Sequence, residues 1–501
     1  MRVLVANRGE IAVRVIRACR EMALGVVAVY SDCDRSAMHV RLADVACHLG
    51  PGPAIDSYLR IDRIVEAAVR TGATMVHPGY GFLAENAAFA RACAAAGLVF
   101  IGPSPEAIDR MGAKTAARDV AIAAGVPVVP GTDTPFAADA PDEDILAAAA
   151  SVGFPLVIKA VAGGGGKGMR TVTGLDELLP AARRASSEAL SAFGEGRCYL
   201  ERRLIEPRHI EIQLMGDEFG QVIAFVEREC SIQRRHQKVV EESPASSLDT
   251  ATRLAMADAA VRIATSVGYT NAGTIEFLVD RTGAFYFLEM NTRLQVEHPV
   301  TEAVTGIDLV HWQLRVAMGE RLTIDPRQAL EPRGHAIECR IYAEDPDRGF
   351  LPSPGLVTAL TVPGGPGVRD DRGVSAGDEI PIFYDSLIAK LTVWAETRDA
   401  AITRLSRALD EYRVSGVRTT LPFFRWLVRQ PAFALGHVST TYLDGVLASR
   451  TEPFVTPTDA EALDATLVAA VAAWSAGRQQ AACQPEVTSR WQAAGRLERL
   501  R

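Results

Sequence analysis

Glu289-Met-Asn-Thr-Arg-Leu-Gln-Val-Glu-His298 is the stretch whose reading decides the fold. Its odd-numbered positions, Glu289, Asn291, Arg293, Gln295 and Glu297, carry charges or amides; Met290, Thr292, Leu294 and Val296 between them are mostly apolar. Alternation with period two puts alternate side chains on one face of an extended segment. The same face continues back through Phe287 and Phe285 to a turn at Thr282-Gly283. Across that turn, Thr274-Ile-Glu-Phe-Leu-Val-Asp280 reads as a second strand. Pairing Asp280 with Phe285 sets Glu276 directly opposite Glu289. Opposed carboxylates, roughly 5 Å apart at Cβ, repel, so a positive group is predicted between them. With Asn291 two residues on, they make the all-oxygen ligand set that Mg²⁺ prefers. Phe285 and Phe287 on the same face argue against a solvated outer surface.

The chain has 501 residues, enough for about three domains. Its 48% hydrophobic and 23% charged content is that of an ordinary globular protein, and a net charge of −8 argues against general nucleic-acid binding. No apolar run reaches membrane-spanning length, and Met1-Arg-Val-Leu-Val-Ala6 reads directly as a first strand, not as a signal peptide. The eight cysteines form no Cys-x-x-Cys pair, which predicts reduced thiols in a cytoplasmic protein. No His-x-x-x-His pair occurs among the nine histidines, so a zinc site is not indicated.

Residues 1–112 alternate strand and helix: Arg2–Ala6, helix Ile11–Met22, Val26–Ser31, helix Ile61–Thr71, Thr74–Val76, helix Asn86–Ala96, Val99–Ile101. That order predicts a parallel sheet covered by helices. The turn Asn7-Arg-Gly-Glu10 lacks the glycine pattern of a dinucleotide site. A helical connector, 113–130, leads to a small unit at 131–203, and a strand-rich block fills 204–446. The rest, 447–501, is a Pro-containing linker (Thr451–Thr458) and an Ala-rich helix Asp459–Ala476 opened by a capping-box pattern, Thr458-x-x-Glu461.

In the small unit, Phe154-Pro-Leu-Val-Ile-Lys159 is a strand ending in Lys, followed by Gly163-Gly-Gly-Gly-Lys-Gly168. Consecutive glycines expose backbone N–H groups and permit positive φ, as a phosphate cradle requires. Met169–Thr173 is β-branched and predicts a returning strand, so a dinucleotide fingerprint is not supported. The Walker pattern also fails, with Val161 and Gly168 at two of its fixed positions. What remains is a hairpin whose glycine tip can fold over a triphosphate.

The strand-end Lys159, the glycine hairpin and the trio Glu276, Glu289 and Asn291 together resemble the ATP-grasp fold. Four strings look specifically like biotin carboxylase: His77–Asn86, Arg228–Pro244, Glu289–His298 and Glu338–Asp345. The resemblance covers about residues 1–446 and implies an α/β architecture. Its parts would be a Rossmann-like N-terminal domain, a mobile glycine-rich lid, an ATP-grasp body and a C-terminal biotin carboxylase domain.

The resemblance also implies roles. Lys114 and Lys159 would contact phosphates and the adenine side, under a lid formed by Gly164, Gly165 and Gly166, with Met169 beside it. Glu201, Arg202 and Leu204 would form the adenine hinge; Arg202 stands where the family often has Lys. His209, Gln233 and His236 would line the ribose and phosphate side, and Glu276, Glu289 and Asn291 would hold Mg²⁺ or Mn²⁺, two ions per site. Lys238, Arg293, Gln295 and the Val296 backbone would hold bicarbonate, with Glu297 as general base. Arg340 would hold biotin and stabilise its enolate, with Tyr80 nearby.

Residue chemistry alone allows plainer readings at a few positions. Arg340 could pair with Glu338 or Glu344, Arg234-Arg235 could be a surface ion-pair element, and Cys230 and His77 read as packing residues.

None of the ten Met is followed by Lys, so the biotin attachment sequence of carrier domains is missing from this sequence. The expected partners are a separate biotin carboxyl carrier protein and carboxyltransferase subunits of an acetyl-CoA or other acyl-CoA carboxylase. The alternatives are the ATP-using subunit of a pyruvate carboxylase and another ATP-grasp ligase that activates bicarbonate. Arg17 and Glu21 match dimer-contact positions, and Pro366 replaces the Phe of small dimeric bacterial subunits; a homodimer is expected.

Overall fold

The computed structural model describes residues 1–132, 134–137, 139–161, 169–454 and 466–475. Two compact units divide the chain, Met1–Thr451 and Glu452–Arg501. In the second, residues 466–475 are helical; the predicted helix start and capping box lie outside the described residues. No helix among the described residues is long and apolar enough to cross a membrane.

The first unit opens with a five-stranded parallel sheet in the order Val45–Gly50, Gly25–Ser31, Arg2–Val5, Met75–His77, Val99–Phe100. Helices Gly9–Glu21, Ile61–Arg70 and Ala87–Ala95 cover it, the last capped by the Asn86 side chain accepting from Phe89 N–H. Sequence reading misses the edge strand Val45–Gly50, although buried Cys47 and Leu49 alternate there with exposed Ala46 and His48.

A three-stranded antiparallel sheet of Arg170–Val172, Leu156–Ala160 and Cys198–Arg202 follows. Helices Asp142–Val152 and Leu175–Phe193 pack on it around Ile145, Ile158, Leu178 and Leu200. The expected returning strand is present, as Arg170–Val172 within 169–173. The glycine tip, including Gly164, Gly165 and Gly166, lies outside the described residues.

The largest sheet has nine strands, all antiparallel. In order, eight of them are Phe285–Asn291, Asn271–Val279, Arg208–Gly216, Arg228–Arg234, Gln237–Ser243, His335–Tyr342, Leu387–Ala395 and Val368–Arg372, with Val222–Ala224 beside Arg208–Gly216. Every strand of the predicted hairpin is present, and Glu276 does face Glu289. The register near the turn is different, however. Val279 faces Phe285 and Phe277 faces Phe287, so Leu288 is an extra residue in a bulge. The bulge turns Phe285 and Phe287 to the face opposite Glu289. There they join Ile275, Phe277 and Met290 in the core, with Phe277 and Phe285 edge-to-face at 5.5 Å. The cause lies at this outer strand: Phe287 N–H donates to Pro127 O at 2.7 Å, drawing the edge toward the connector.

The extended reading of 292–297 is also corrected. The strand ends at Asn291, and helix His298–Thr305 begins just after Glu297. Thr292 N–H and Arg293 Nε both donate to Glu85 of the N-terminal segment, at 2.8 and 2.9 Å, and this pulls the chain off the sheet into a loop.

Candidate active site

The Arg208–Gly216 strand alternates His209, Glu211 and Gln213 with Ile210, Ile212 and Leu214. Its polar row therefore faces the same side as Glu276, which is paired with Glu211. Lys238, from Gln237–Ser243, reaches over this row, and its Nζ donates to Glu211 at 2.6 Å, Glu276 at 2.6 Å and Glu297 at 2.7 Å. Lys238 thus puts a positive group on Glu276, one of the two opposed carboxylates, and not between the pair. Burial works against its charge, but Glu211, Glu276 and Glu297 hold its pKa well above that of a free lysine.

Glu276 Oε1 also accepts from Asn291 Nδ2 at 2.9 Å and Gln295 Nε2 at 3.2 Å, while His209 Nε2 lies 3.1 Å from Oε2. Burial would raise its pKa, but Lys238 and His209 pull it well below the carboxylate range. Glu289 is its opposite. It receives no hydrogen bond among the described residues, and burial followed by the facing Glu276 charge raises its pKa. One of the two opposed carboxylates is neutralised and the other is not.

Glu297 is fully buried, with Oε1 on Lys238 and Oε2 accepting from Arg340 Nη2 at 2.9 Å. Burial opposes its ionisation, yet Lys238, Arg340 and Arg228 hold its pKa well below the usual range. Beneath it Arg228, also fully buried, donates to Glu211, and to Gln213 and Thr301 at 2.9 Å each. Cys230 Sγ is 3.9 Å from Glu297; burial, then Glu211, drives this thiol well away from ionisation, which fits packing. Arg340 pairs with neither Glu338 nor Glu344. Its partners are Glu241 and Glu297.

Arg293 gathers the loop: Nη2 donates to Asn291 Oδ1 at 3.1 Å and Nη1 to Gln295 Oε1 at 2.9 Å. Lys390, fully buried, donates to the Val296 carbonyl at 2.8 Å and pairs with Glu10 at 3.1 Å. Tyr80 donates to the same Glu10, and its ring lies 5.8 Å from the Lys390 ammonium. Asn7, at the first βα turn, holds the Tyr80 loop through Pro78 O at 2.7 Å and Tyr80 O at 2.8 Å. Gly79 there has φ +65°, and a Cβ would meet Asn7 Nδ2 at 2.8 Å, so glycine is required.

Farther out, Lys159 donates to Glu201, and Lys114 is exposed at the start of helix Lys114–Ala123. The N–H groups of Arg202 and Arg203 are taken by Pro130 O at 2.7 Å and Pro155 O at 2.9 Å. Among the described residues, Leu204 N–H is the hinge donor with no protein partner. Gln233 is buried and donates to Cys230 O at 2.9 Å, Met169 is half-buried, and His236 is exposed on a turn with φ +65°. Arg234 pairs with Glu344 at 2.8 Å and stacks on Phe350 at 4.4 Å, so it is an interior brace while Arg235 is exposed.

Sequence reasoning brings together Lys238, Glu276, Glu289, Asn291, Arg293, Gln295, Glu297 and Arg340, which the fold unites in one cluster. It misses Glu211, Glu241, Glu85 and Lys390. Glu211 had a local signal, the His209-Ile-Glu-Ile-Gln213 alternation, and Glu85 and Glu241 stand inside the strings His77–Asn86 and Arg228–Pro244 with no role read for them.

Residues 1–108 match the family model "Biotin carboxylase, N-terminal domain", 113–325 match "Carbamoyl-phosphate synthase L chain, ATP binding domain", and 338–445 match "Biotin carboxylase C-terminal domain". A biotin carboxylase of Nostoc sp. is 50% identical over 442 residues, 88% of this chain and 98% of that protein. A pyruvate carboxylase subunit of Methanothermobacter thermautotrophicus is 52% identical over 443 residues, 88% and 89% of the two chains. Among solved structures, the biotin carboxylase domain dimer of Hydrogenobacter thermophilus 2-oxoglutarate carboxylase, in complex with MgADP, ADP and bicarbonate, superposes with a TM-score of 0.85. It is 46% identical, covering 91% of this chain and 99% of that one.

Proposed function

This chain belongs to the biotin carboxylase family, and from that premise we propose how its own side chains carry the ATP-dependent carboxylation of biotin by bicarbonate. The observation that carries the reading is Glu297, a buried carboxylate kept ionised between two cations, Lys238 and Arg340. A base must be ionised to act, and its product acid must be close to the anion it serves.

Bicarbonate is a poor nucleophile and an anion, so it needs fixed donors beside a triphosphate. Lys238, the Arg293 fork, the Gln295 amide and the Val296 N–H supply them, and Lys390 steadies the same loop through the Val296 carbonyl. Glu297 takes the bicarbonate proton, and the resulting oxygen attacks the γ-phosphorus of ATP, expelling ADP and leaving carboxyphosphate. Lys114, Lys159 and the lid residues Gly164, Gly165 and Gly166 hold the phosphates, and Met169, Glu201, Arg202, Leu204, His209, Gln233 and His236 border the nucleotide. Leu204 N–H is the hinge donor suited to the adenine edge.

Glu276, Glu289 and Asn291 fit a divalent ion of the Mg²⁺ type: all can offer oxygen, and Glu289 has no internal hydrogen bond to surrender. We assign two such ions, Mg²⁺ or Mn²⁺, to these residues, and their charge would neutralise the β- and γ-phosphates during in-line transfer.

Carboxyphosphate then separates into CO₂ and phosphate. The phosphate is the strongest base formed in the site and takes the N1′ proton of biotin; N1′ attacks CO₂. Arg340 holds the ureido oxygen, where negative charge develops, and Tyr80 borders it.

The biotin would arrive on a separate carrier protein, and carboxyltransferase subunits of an acetyl-CoA or other acyl-CoA carboxylase would use the product. The likeness to a subunit of pyruvate carboxylase supports a second acceptor, pyruvate, served by the same half-reaction. A homodimer through the Arg17 and Glu21 face, and a reducing compartment such as the cytoplasm, suit the sequence and the free cysteines. The test is ATP cleavage with bicarbonate, with and without free biotin. Stimulation by biotin with N1′-carboxybiotin formed is expected, and equal ADP release in both arms rejects the biotin assignment.

A further inference from the structure

Arg340 is bonded to two carboxylates at once. Its Nε donates to Glu241 Oε1 at 2.6 Å, and Nη2 lies 2.6 Å from that same oxygen while donating to Glu297 Oε2 at 2.9 Å. Glu241 reaches Arg340 diagonally. It faces Glu338 in the ladder between Gln237–Ser243 and His335–Tyr342, and Arg340 sits two residues beyond Glu338 on the same sheet face.

Glu241 is a costly residue to have in this place. It is fully buried, its Oε2 has no hydrogen-bond partner, and the carboxylate directly opposite, Glu338, also leaves one oxygen unpaired. Burying a carboxyl without full compensation destabilises a fold. Among the described residues, its side chain accepts hydrogen bonds from Arg340 alone, so holding Arg340 is what this group does.

The reaction changes the charge of its competitor. When Glu297 takes up a proton, its bond to Arg340 ceases to be charge-assisted on the acceptor side and weakens. Glu241 moves the other way. Burial pushes it up to about 8, Arg340 opposes that, and the Glu297 and Glu338 charges add to it. Neutralising Glu297 removes one of the repelling charges and so favours the ionised form of Glu241, and its hold on Arg340, just as Glu297 lets go.

We infer that Glu241 is a positioning residue that anchors Arg340 through Nε, so that Nη2, released by Glu297 as it is protonated, is left for the ureido oxygen of biotin. The inference rests on the roles given above to Arg340 and Glu297. It makes the two halves of the reaction sequential, because the biotin-side cation is freed by bicarbonate deprotonation.

The experiment is steady-state kinetics of the full chain with free biotin, comparing Glu241→Gln, Arg340→Ala and the double variant. Glu241→Gln is expected to lower kcat/KM for biotin by about 10–100-fold, the order lost when the partner that orients a metal ligand is removed. Bicarbonate-dependent ATP cleavage measured without biotin should fall roughly tenfold less than that. On the Arg340→Ala background, adding Glu241→Gln should cost less than about threefold, since the two act as a unit. Equal losses in both activities, or a full-sized further loss in the double variant, would mean that Glu241 only supports the fold, and would overturn the inference. If Glu241→Gln does not fold, Glu241→Asp, with the charge withdrawn by one methylene, must show the same split. Normal biotin carboxylation by Arg340→Ala would instead remove the functional reading beneath it.

Discussion

Glu297 and Arg340 are hydrogen-bonded to each other, Oε2 to Nη2 at 2.9 Å, although they come from different parts of the site. Glu297 ends the loop that leaves the edge strand, and Arg340 stands in the middle of His335–Tyr342. The bond joins the base that would activate bicarbonate to the cation that would receive charge from biotin. Removing either member should therefore have separable effects.

Arg340→Ala should lower biotin carboxylation by about 10²–10³, the loss typical of removing one donor to a developing oxyanion. ATP affinity should stay close to that of the unaltered protein, because Arg340 touches none of the residues given to the nucleotide phosphates. Rates of carboxybiotin formation and nucleotide titrations check the two halves. A variant that carboxylates biotin normally would reduce Arg340 to a structural ion pair with Glu241.

Glu297→Gln should lose bicarbonate-dependent ATP cleavage as well as carboxylation, since its step comes first. Lys238 and Arg340 keep its folded pKa well below the usual range, despite burial. The acid limb of ATP cleavage in the unaltered protein should therefore not arise from Glu297 at mildly acidic pH. ADP release measured from pH 5 to 8 decides this; a variant as active as the parent rules out the base assignment.

Glu289→Gln should weaken Mg²⁺ dependence and activity together, because Glu289 is the carboxylate left without an internal neutralising partner. The readout is the Mg²⁺ concentration giving half-maximal ATP cleavage, expected to rise by an order of magnitude or more. An unchanged requirement would put the ion elsewhere.

The facing of Glu276 and Glu289 was legible from a turn and a period, but through a turn register one residue off, an error that the extra residue in the strand cancels. The bulge at Leu288 was not. Phe287, Leu288 and Glu289 suit any strand position, and the force that inserts the extra residue comes from Pro127, far back in the chain. The loop at 292–297 kept its alternation without being extended, since its polar residues are aimed by Glu85 and Glu276 and not by pleating. Glu241 and Lys390 were missed for the same reason: their partners, Arg340 and the Val296 carbonyl, are remote in sequence. Motif strings locate the chemistry; the groups that aim it are found only in three dimensions.

Glu10 gives a stability prediction with a definite sign. Burial raises its pKa from 4.5 to about 7, with Lys390 pulling the other way and Asp371 adding to the rise. Between those values the folded protein holds more protons than the unfolded chain, so this group's contribution to stability falls as pH rises through the window. It is fully present below about pH 4.5 and gone above about pH 7. In Glu10→Gln that contribution is absent, and Tm against pH should be flatter between pH 4.5 and 7 whatever the change in its absolute value. An unaltered slope would show that Glu10 ionises normally beside Lys390.

The last prediction concerns the segment after residue 450. The compact first unit ends at Thr451, and every residue given a direct role toward substrate or ion precedes residue 346, with Lys390, which steadies their loop, also in that unit. Beyond it, residues 466–475 form a helix whose Leu467, Val468, Val471 and Trp474 are 55%, 69%, 63% and 62% exposed. Leu467, Val471 and Trp474 fall at helical spacing on one stripe, more apolar than a solvated helix face needs. Trp491 and Leu497, in the Arg-rich end Ser489–Arg501, lie outside the described residues. An apolar stripe of this kind is suited to a groove on another subunit. Truncation after Arg450 should accordingly keep free-biotin carboxylation while weakening co-purification with the carrier and carboxyltransferase subunits. Activity assays on the truncated chain and pull-down of the assembled complex test both parts. An inactive or insoluble truncation would show that the segment stabilises its own catalytic unit, and intact co-purification would show that the subunits meet elsewhere.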